Sequence, residues 1–270
     1  MSVLDQTRVD RPSPRPRRLS WTVSDAAVMI DRGMRHTLRN GDALFMSVFL
    51  PIMLLLLFVY VFGGAIDVGT GYINYVVPGI ILLCAGFGAA TTAVGVTNDM
   101  TTGIIDRFRS LPIATWTVVL GHVVASMARN LFATGLVLGI AVAIGFRPTA
   151  SPLDWVGAIA VVALFILMMT WVSVMFGLIA KTADAASGFT FFILFLPYVS
   201  SAFVPTDTMP AALHGFAEHQ PITPIIETVR GLLMGTPIGN SWWIALLWCA
   251  AILLVVVPIS SHLFRSRTRV

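Results

Sequence analysis

Charge is scarce in this 270-residue chain: 11% of its residues are Asp, Glu, Lys or Arg, against about 25% in an ordinary soluble domain. Lysine is almost absent, Lys181 standing alone and preceded by Ala180. A phosphate-binding loop of the form G-x-x-x-x-G-K-[ST] needs a lysine behind a glycine to reach the phosphates, so this chain is not expected to bind and split ATP by that route. Cys84 and Cys249 are the two cysteines, both inside apolar stretches, where they act as small hydrophobes rather than a disulfide or metal pair. Ser187 and Gly188 follow Ala185 and Ala186, which leaves no G-x-S-x-G nucleophile turn. His214, Glu218 and His219 are close in sequence but lack H-E-x-x-H spacing and a cysteine ligand. His122 and His262 are isolated and suit interfacial or packing positions. No catalytic, cofactor-binding or metal-ligating residue is assigned, and the chain by itself is not expected to be an enzyme.

What is abundant is apolar length. Hydrophobic residues make up 57% of the chain, and they gather in runs over 43–62, 72–97, 130–146, 155–180, 185–204 and 241–264. A bilayer core takes about 20 apolar residues per helix, so the expected class is an all-α membrane protein with six transmembrane helices. Six crossings leave both termini on one face. Arginine is dense before the first run (Arg8 to Arg39) and after the last (Arg265, Arg267, Arg269), with Arg107, Arg109 and Lys181 in connections to that same face. Arg147 and Arg230 fall to the other. The positive-inside rule then makes both termini cytoplasmic. The formal net charge of +4 reports orientation and contact with anionic lipid, not nucleic acid.

The chain divides into a basic, proline-containing tail over 1–20 that cannot bury a core, an amphipathic interfacial helix over 21–40, a six-helix membrane domain over 41–264 and a short basic tail over 265–270. In the second segment Ser24 is a candidate N-cap, and Ala27, Ile30, Met34 and Leu38 repeat at helical spacing. Small residues recur every four positions at Ala85, Ala89 and Ala93 and at Gly135 and Gly139, a spacing that brings helices close, either within the chain or between two copies. Pro51, Pro78, Pro197 and Pro258 interrupt four of the apolar runs. Arg129 is expected within a turn of the inner interface, its side chain snorkelling to headgroups.

Two connections are long enough to hold a site. The stretch NDMTTGIIDRFRSLP over 98–112 sets Ile105, Phe108 and Leu111 beside Asp106, Arg107 and Arg109, a mixture suited to docking a cytoplasmic partner. The stretch over 205–240 is rich in proline yet too apolar for a free loop, which suits short interfacial or re-entrant helices. Within it Glu227 and Arg230 stand three apart, the spacing of a helical ion pair and of a candidate outer gate. Phe45, Phe49, Phe189 and Phe192 are candidates to line a path for an apolar substrate, although lipid-facing packing is the better account of most such residues.

In layout the chain resembles the membrane permease of type 2 ABC exporters, within the daunorubicin-resistance permease family. The likeness rests on the amphipathic segment before the first span, VVPGI over 76–80, DRFRSLPI over 106–113, and FLPYVSSAFVP…MP…HQPITPIIETVRGLL over 195–233. It implies that Ile105, Asp106, Arg107, Phe108, Arg109, Ser110, Leu111 and Pro112 form a coupling helix seated on an ATP-binding subunit. It further implies two ATP-binding subunits carrying ATP and Mg, a second permease subunit, and short re-entrant helices after the fifth span. The implied function is export of hydrophobic or amphipathic compounds across a bacterial cytoplasmic membrane by alternating access. The competing class, a stand-alone secondary transporter or channel, expects ionisable residues along a mid-membrane path. Only Arg129 offers itself, at the edge of its span.

Overall fold

The computed structural model describes residues 41–66, 68, 71–102, 116–193 and 195–267, and these are helical or irregular, without a strand among them. The expected coupling segment 105–112 and the amphipathic segment 21–40 lie outside the described residues. Eight α-helices follow in order: α1 (Gly41–Leu56), α2 (Tyr72–Thr101), α3 (Trp116–Ala143), α4 (Pro152–Ile179), α5 (Ala183–Ile193), α6 (Ala211–His219), α7 (Ile222–Met234) and α8 (Ser241–Arg267). A wider π-helical turn, Leu57–Phe62, prolongs α1, and tight 3-10 turns occupy Leu196–Val199 and Thr206–Thr208. Four helices, α2, α3, α4 and α8, are long and apolar enough to cross a membrane.

Local chemistry explains the boundaries. Ser151 caps α4 through a capping box, accepting from the Asp154 amide while the Asp154 carboxylate accepts from the Ser151 amide, and Pro152 fills the first helical position where no N–H is needed. At the end of α7 the chain turns at Gly235, whose φ of 66° is costly for any residue with a Cβ. The helices α1, α2 and α8 run through Pro51, Pro78 and Pro258.

The centre of the bundle is α2, whose side chains from Val76 to Ala85 are almost all enclosed by neighbours. Because lipid is as apolar as leucine, helices in a membrane associate through close packing and hydrogen bonds rather than through hydrophobic burial. The alanines of α2 serve that purpose: Ala85, Ala89 and Ala93 are fully buried. A Cβ at Gly177 of α4 would stand 2.6 Å from the Ala93 carbonyl oxygen, and Thr97 Oγ1 donates to the Gly177 carbonyl at 2.9 Å. The glycines of α3 behave differently. Gly135 and Gly139 have no atom within 4 Å of a built Cβ, so their spacing serves no contact among the described residues.

Hydrogen bonds fix which ends lie together. Tyr72 Oη donates to the Phe203 carbonyl, the Arg147 amide to Asn74 Oδ1 and the Thr149 amide to the Leu233 carbonyl, so the starts of α2, α4 and α8 and the end of α3 gather beside α7. At the opposite end His122 of α3 meets Asp99 of α2 at 3.0 Å, and Arg267 of α8 donates to the Ile179 and Ala180 carbonyls after α4.

The apolar run 185–204 departs from expectation. It is not one helical span: α5 stops at Ile193, and after Phe195 the chain makes the 3-10 turn Leu196–Val199 and then irregular backbone as far as Pro205. Pro197 is the reason, since its missing N–H and its ring both oppose continuation of an α-helix.

Candidate functional site

Breaking a helix at membrane depth frees backbone groups that lipid cannot satisfy, at a cost of several kcal/mol each if left bare. The break after α5 is tolerated because polar side chains from the α6–α7 region reach it. Gln220, the residue that ends α6, is buried and sends Nε2 to the Leu196 carbonyl at 3.1 Å and to the Val199 carbonyl at 2.5 Å. Ser200 Oγ donates to the Pro197 carbonyl at 2.6 Å. Arg230 Nη2 donates to the Ser201 carbonyl at 2.6 Å. Four carbonyls of the broken segment are thus satisfied by three side chains.

Arg230 is the hub. It is 7% exposed, yet every face of its guanidinium is used: Nε donates to the Tyr75 carbonyl of α2 at 3.2 Å, Nη1 to Glu227 one turn earlier, and the plane lies over the Tyr75 ring, 3.8 Å from its centroid. A planar, rigidly forked donor is suited to this work in a way a lysine ammonium is not. Thr223 and Thr228 of α7 return their hydroxyls to the Ala217 and Pro224 carbonyls. Phe203 stacks on Phe58 and on Tyr198, at 4.2 and 5.4 Å between centroids. Two buried atoms of this latch, Gln220 Oε1 and Ser201 Oγ, have no hydrogen-bond partner among the described residues. A partly satisfied polar network at low dielectric is less firmly held than a complete one.

The expected Glu227–Arg230 spacing therefore becomes an ion pair, with the arginine buried and the carboxylate 37% exposed. Spacing along one helix said nothing of Tyr75, Ser201 or Gln220, because those partners come from distant parts of the chain. The one available signal was composition: a glutamine before Pro221 in an otherwise apolar, proline-rich stretch.

The other candidates fall apart in space. Phe45 and Phe49 stack on each other at 5.0 Å along α1 and are both exposed. Phe189 and Phe192 lie on α5, and their side chains are outside the described residues, so no described contact joins the two pairs. Residues 105–112 are likewise undescribed, but their stems are not: α2 ends at Thr101, α3 begins at Trp116, and the Asp99–His122 pair fastens the two helices beside the connection.

Deeper in the bundle a chain of hydroxyls crosses three helices. Thr92 Oγ1 of α2 donates to Ser126 Oγ of α3 at 2.8 Å, Ser126 lies 3.3 Å from Thr170 Oγ1 of α4, and Asn130 Nδ2 donates to Ser126 at 3.2 Å. Beside this chain stands Arg129 of α3. Its guanidinium turns onto α2, where Nη2 donates to the Gly88 carbonyl at 3.0 Å and to Thr91 Oγ1 at 2.7 Å. Gly88 makes room for the neighbouring Asn130 of α3, for a Cβ there would lie 1.5 Å from Asn130 Oδ1.

Comparison with known proteins gives a consistent family. The family model described as ABC-2 type transporter matches residues 25–234. The daunorubicin resistance ABC transporter permease protein DrrB1 of Streptomyces coeruleorubidus is 27% identical over 224 residues, covering 82% of this chain and 78% of that protein. The probable doxorubicin resistance ABC transporter permease protein DrrC of Mycobacterium tuberculosis is 24% identical over 252 residues, 91% of this chain and 90% of its own length. Both relatives are described as ABC transporter permease proteins.

Proposed function

The chain belongs to the ABC-2 type transporter family, and from that membership we propose the division of labour by which it works as the membrane permease of an ABC transporter. The family implies an ATP-binding partner. In our reading two copies of that partner bind ATP and Mg, two permeases form the pathway, and hydrophobic or amphipathic compounds leave the cytoplasm through it. The drug-resistance names of the relatives support a drug-like or lipid-like substrate. The single observation that carries the proposal is the family match across residues 25–234, which takes in both the connection 103–115 and the α7 latch.

Six crossings follow when α1 with its π-helical extension and α5 with the broken segment join the four long helices. Gly41 to Phe62 amounts to a bilayer's thickness at about 1.5 Å per residue. α5 starts beside the end of α4, and the segment after it ends at Phe203 beside the start of α2, so the two together traverse the bundle. α6 and α7 then act as short re-entrant helices on the outer side, with both termini in the cytoplasm of a bacterial cell.

Coupling is assigned to Ile105, Asp106, Arg107, Phe108, Arg109, Ser110, Leu111 and Pro112, on a loop whose stems the Asp99–His122 pair holds together. ATP-driven closure of the partner subunits would move these loops toward each other, and α2 and α3 would carry the movement through the hydroxyl chain to the far end. There the Glu227–Arg230 pair and the broken segment act as the outer gate. Packed interfaces with two discrete arrangements transmit small shifts in this way. Phe45, Phe49, Phe189 and Phe192 remain the candidates for an aromatic path.

Docking is tested by co-purification. Arg109→Glu and Phe108→Ala should leave membrane insertion intact and reduce recovery of the ATP-binding subunit on a tagged permease. Full recovery with both variants would remove the coupling assignment.

A further inference from the structure

Arg129 sits within the bundle with no acid paired to it among the described residues. Among the described residues the ion pairs are Asp99–His122, His214–Glu218 and Glu227–Arg230, and none includes Arg129. Its guanidinium is nevertheless held in place, because Nη2 spends both hydrogens on α2 and Thr91 itself donates to the same Gly88 carbonyl at 2.9 Å. Nη1 makes no hydrogen bond to a described residue, and the side chain is only partly buried, so an aimed positive charge reaches the surface of the bundle.

The depth of that charge follows from a neighbouring contact. Cys84 Sγ of α2 meets the Ser47 carbonyl of α1 at 3.7 Å. Gly88 and Thr91 lie about 6–10 Å farther along α2 than Cys84, and Gly41 lies about 9 Å back along the antiparallel α1 from Ser47. Arg129 is therefore level with the first turn of α1, at one face of a bilayer-thick helix. That face is the one bearing the Arg267 end of α8.

From Arg129 an exposed apolar strip runs along α3 toward the membrane centre. Phe132 is 67% exposed and Leu136 is 45% exposed. Between them and beyond them Gly135 and Gly139 are open, with nothing within 4 Å of a built Cβ. The result is an exposed apolar strip in which Gly135 and Gly139 leave open space beside Phe132 and Leu136, headed by a guanidinium that meets no acid among the described residues.

We propose that Arg129 and this α3 strip form a binding site for an anionic phospholipid of the inner leaflet, the phosphate on Nη1 and one acyl chain against Phe132, Gly135, Leu136 and Gly139. Charge complementarity selects this occupant. A second copy of the chain would account for the apolar strip alone, whereas a phospholipid supplies an anion and an acyl chain together. A charge near the headgroup level is favourable when it meets anionic lipid and costly when it meets none.

The full-length chain reconstituted in nanodiscs of equal phosphatidylglycerol and phosphatidylethanolamine, then released into mild detergent for native mass spectrometry, reads the site directly. Wild-type protein should retain phosphatidylglycerol over phosphatidylethanolamine, and Arg129→Gln should lower that preference about fivefold. Arg129→Lys should keep part of it. Gly139→Leu, which fills the open space without touching charge, should reduce retention of both lipids, and each variant is compared at matched melting behaviour. If Arg129→Gln does not fold, Arg129→Lys and Gly139→Leu decide. Inorganic phosphate at millimolar concentration should not displace the lipid, and displacement would make this an ion site and overturn the proposal. Equal retention of the two lipids by wild type would overturn it, as would a Gly139→Leu protein that changes oligomeric state with lipid retention unchanged.

Discussion

Arg230 concentrates more structure than any other side chain in the described residues, because its donors join α7, α2 and the backbone after Pro197 at once. Truncation to alanine leaves the Ser201 carbonyl without its donor, worth about 1–3 kcal/mol when buried without a partner, and also removes the side-chain bond to the Tyr75 carbonyl. Arg230→Ala should therefore lower the apparent melting temperature in detergent by several degrees, at about 2–4 °C per kcal/mol for a chain of this size. Arg230→Lys should recover little of the loss, since an ammonium cannot fork to the same carbonyls. Glu227→Gln should cost less, its carboxylate being over a third exposed. A melting curve for Arg230→Ala that overlays wild type would show the latch to be dispensable. At Gly88 the same measurement tests packing. Gly88→Ala places a Cβ on Asn130 Oδ1 and should destabilise by about 1–3 kcal/mol through overpacking. Asn130→Ala in that background should restore part of the loss, and strictly additive effects would contradict the contact.

At the scale of elements, the broken segment after α5 is held by hydrogen bonds from outside itself, and its dynamics should report them. Gln220→Leu keeps volume and removes the donors to the Leu196 and Val199 carbonyls. Amide exchange across residues 196–203 should accelerate at least about tenfold, corresponding to two lost hydrogen bonds of about 0.5–1.5 kcal/mol net each. Unchanged protection would mean that Pro197 geometry alone keeps the segment in place. The same element shows what was legible in the sequence. Hydropathy located the apolar run 185–204 and Pro197 within it, and the spacing of Glu227 and Arg230 named their ion pair. Hydropathy measures transfer to lipid and carries no information about backbone continuity, so the early stop of α5 at Ile193 was not visible. The start of α4 was legible in principle, since S-P-L-D over 151–154 is a capping box with proline at the first position. The turn of Arg129 onto α2 was not, because its acceptors, the Gly88 carbonyl and Thr91, stand on another helix. The shared use of Gly88 and Gly177 was hidden for the same reason, while Ala85, Ala89 and Ala93 were visible because one helix carries the whole pattern.

For the whole molecule, arrangement in the membrane is the first requirement. The topology we propose puts Thr206 outside and Ser266 in the cytoplasm. The native thiols Cys84 and Cys249 are buried and should contribute little background to labelling. Thr206→Cys should react with a membrane-impermeant maleimide in intact cells, and Ser266→Cys should react only after the membrane is opened. The reverse pattern would invert the topology and take the coupling assignment of residues 105–112 with it. Beyond topology, the division between a pathway-forming chain and a separate nucleotide-burning subunit is the central claim. It is met most directly in proteoliposomes holding this chain either alone or with its cognate ATP-binding subunit, by following a fluorescent amphipathic drug against its gradient. Uphill movement that needs the partner, ATP and Mg together is the predicted result, and concentration of the drug by vesicles containing this chain alone would contradict it.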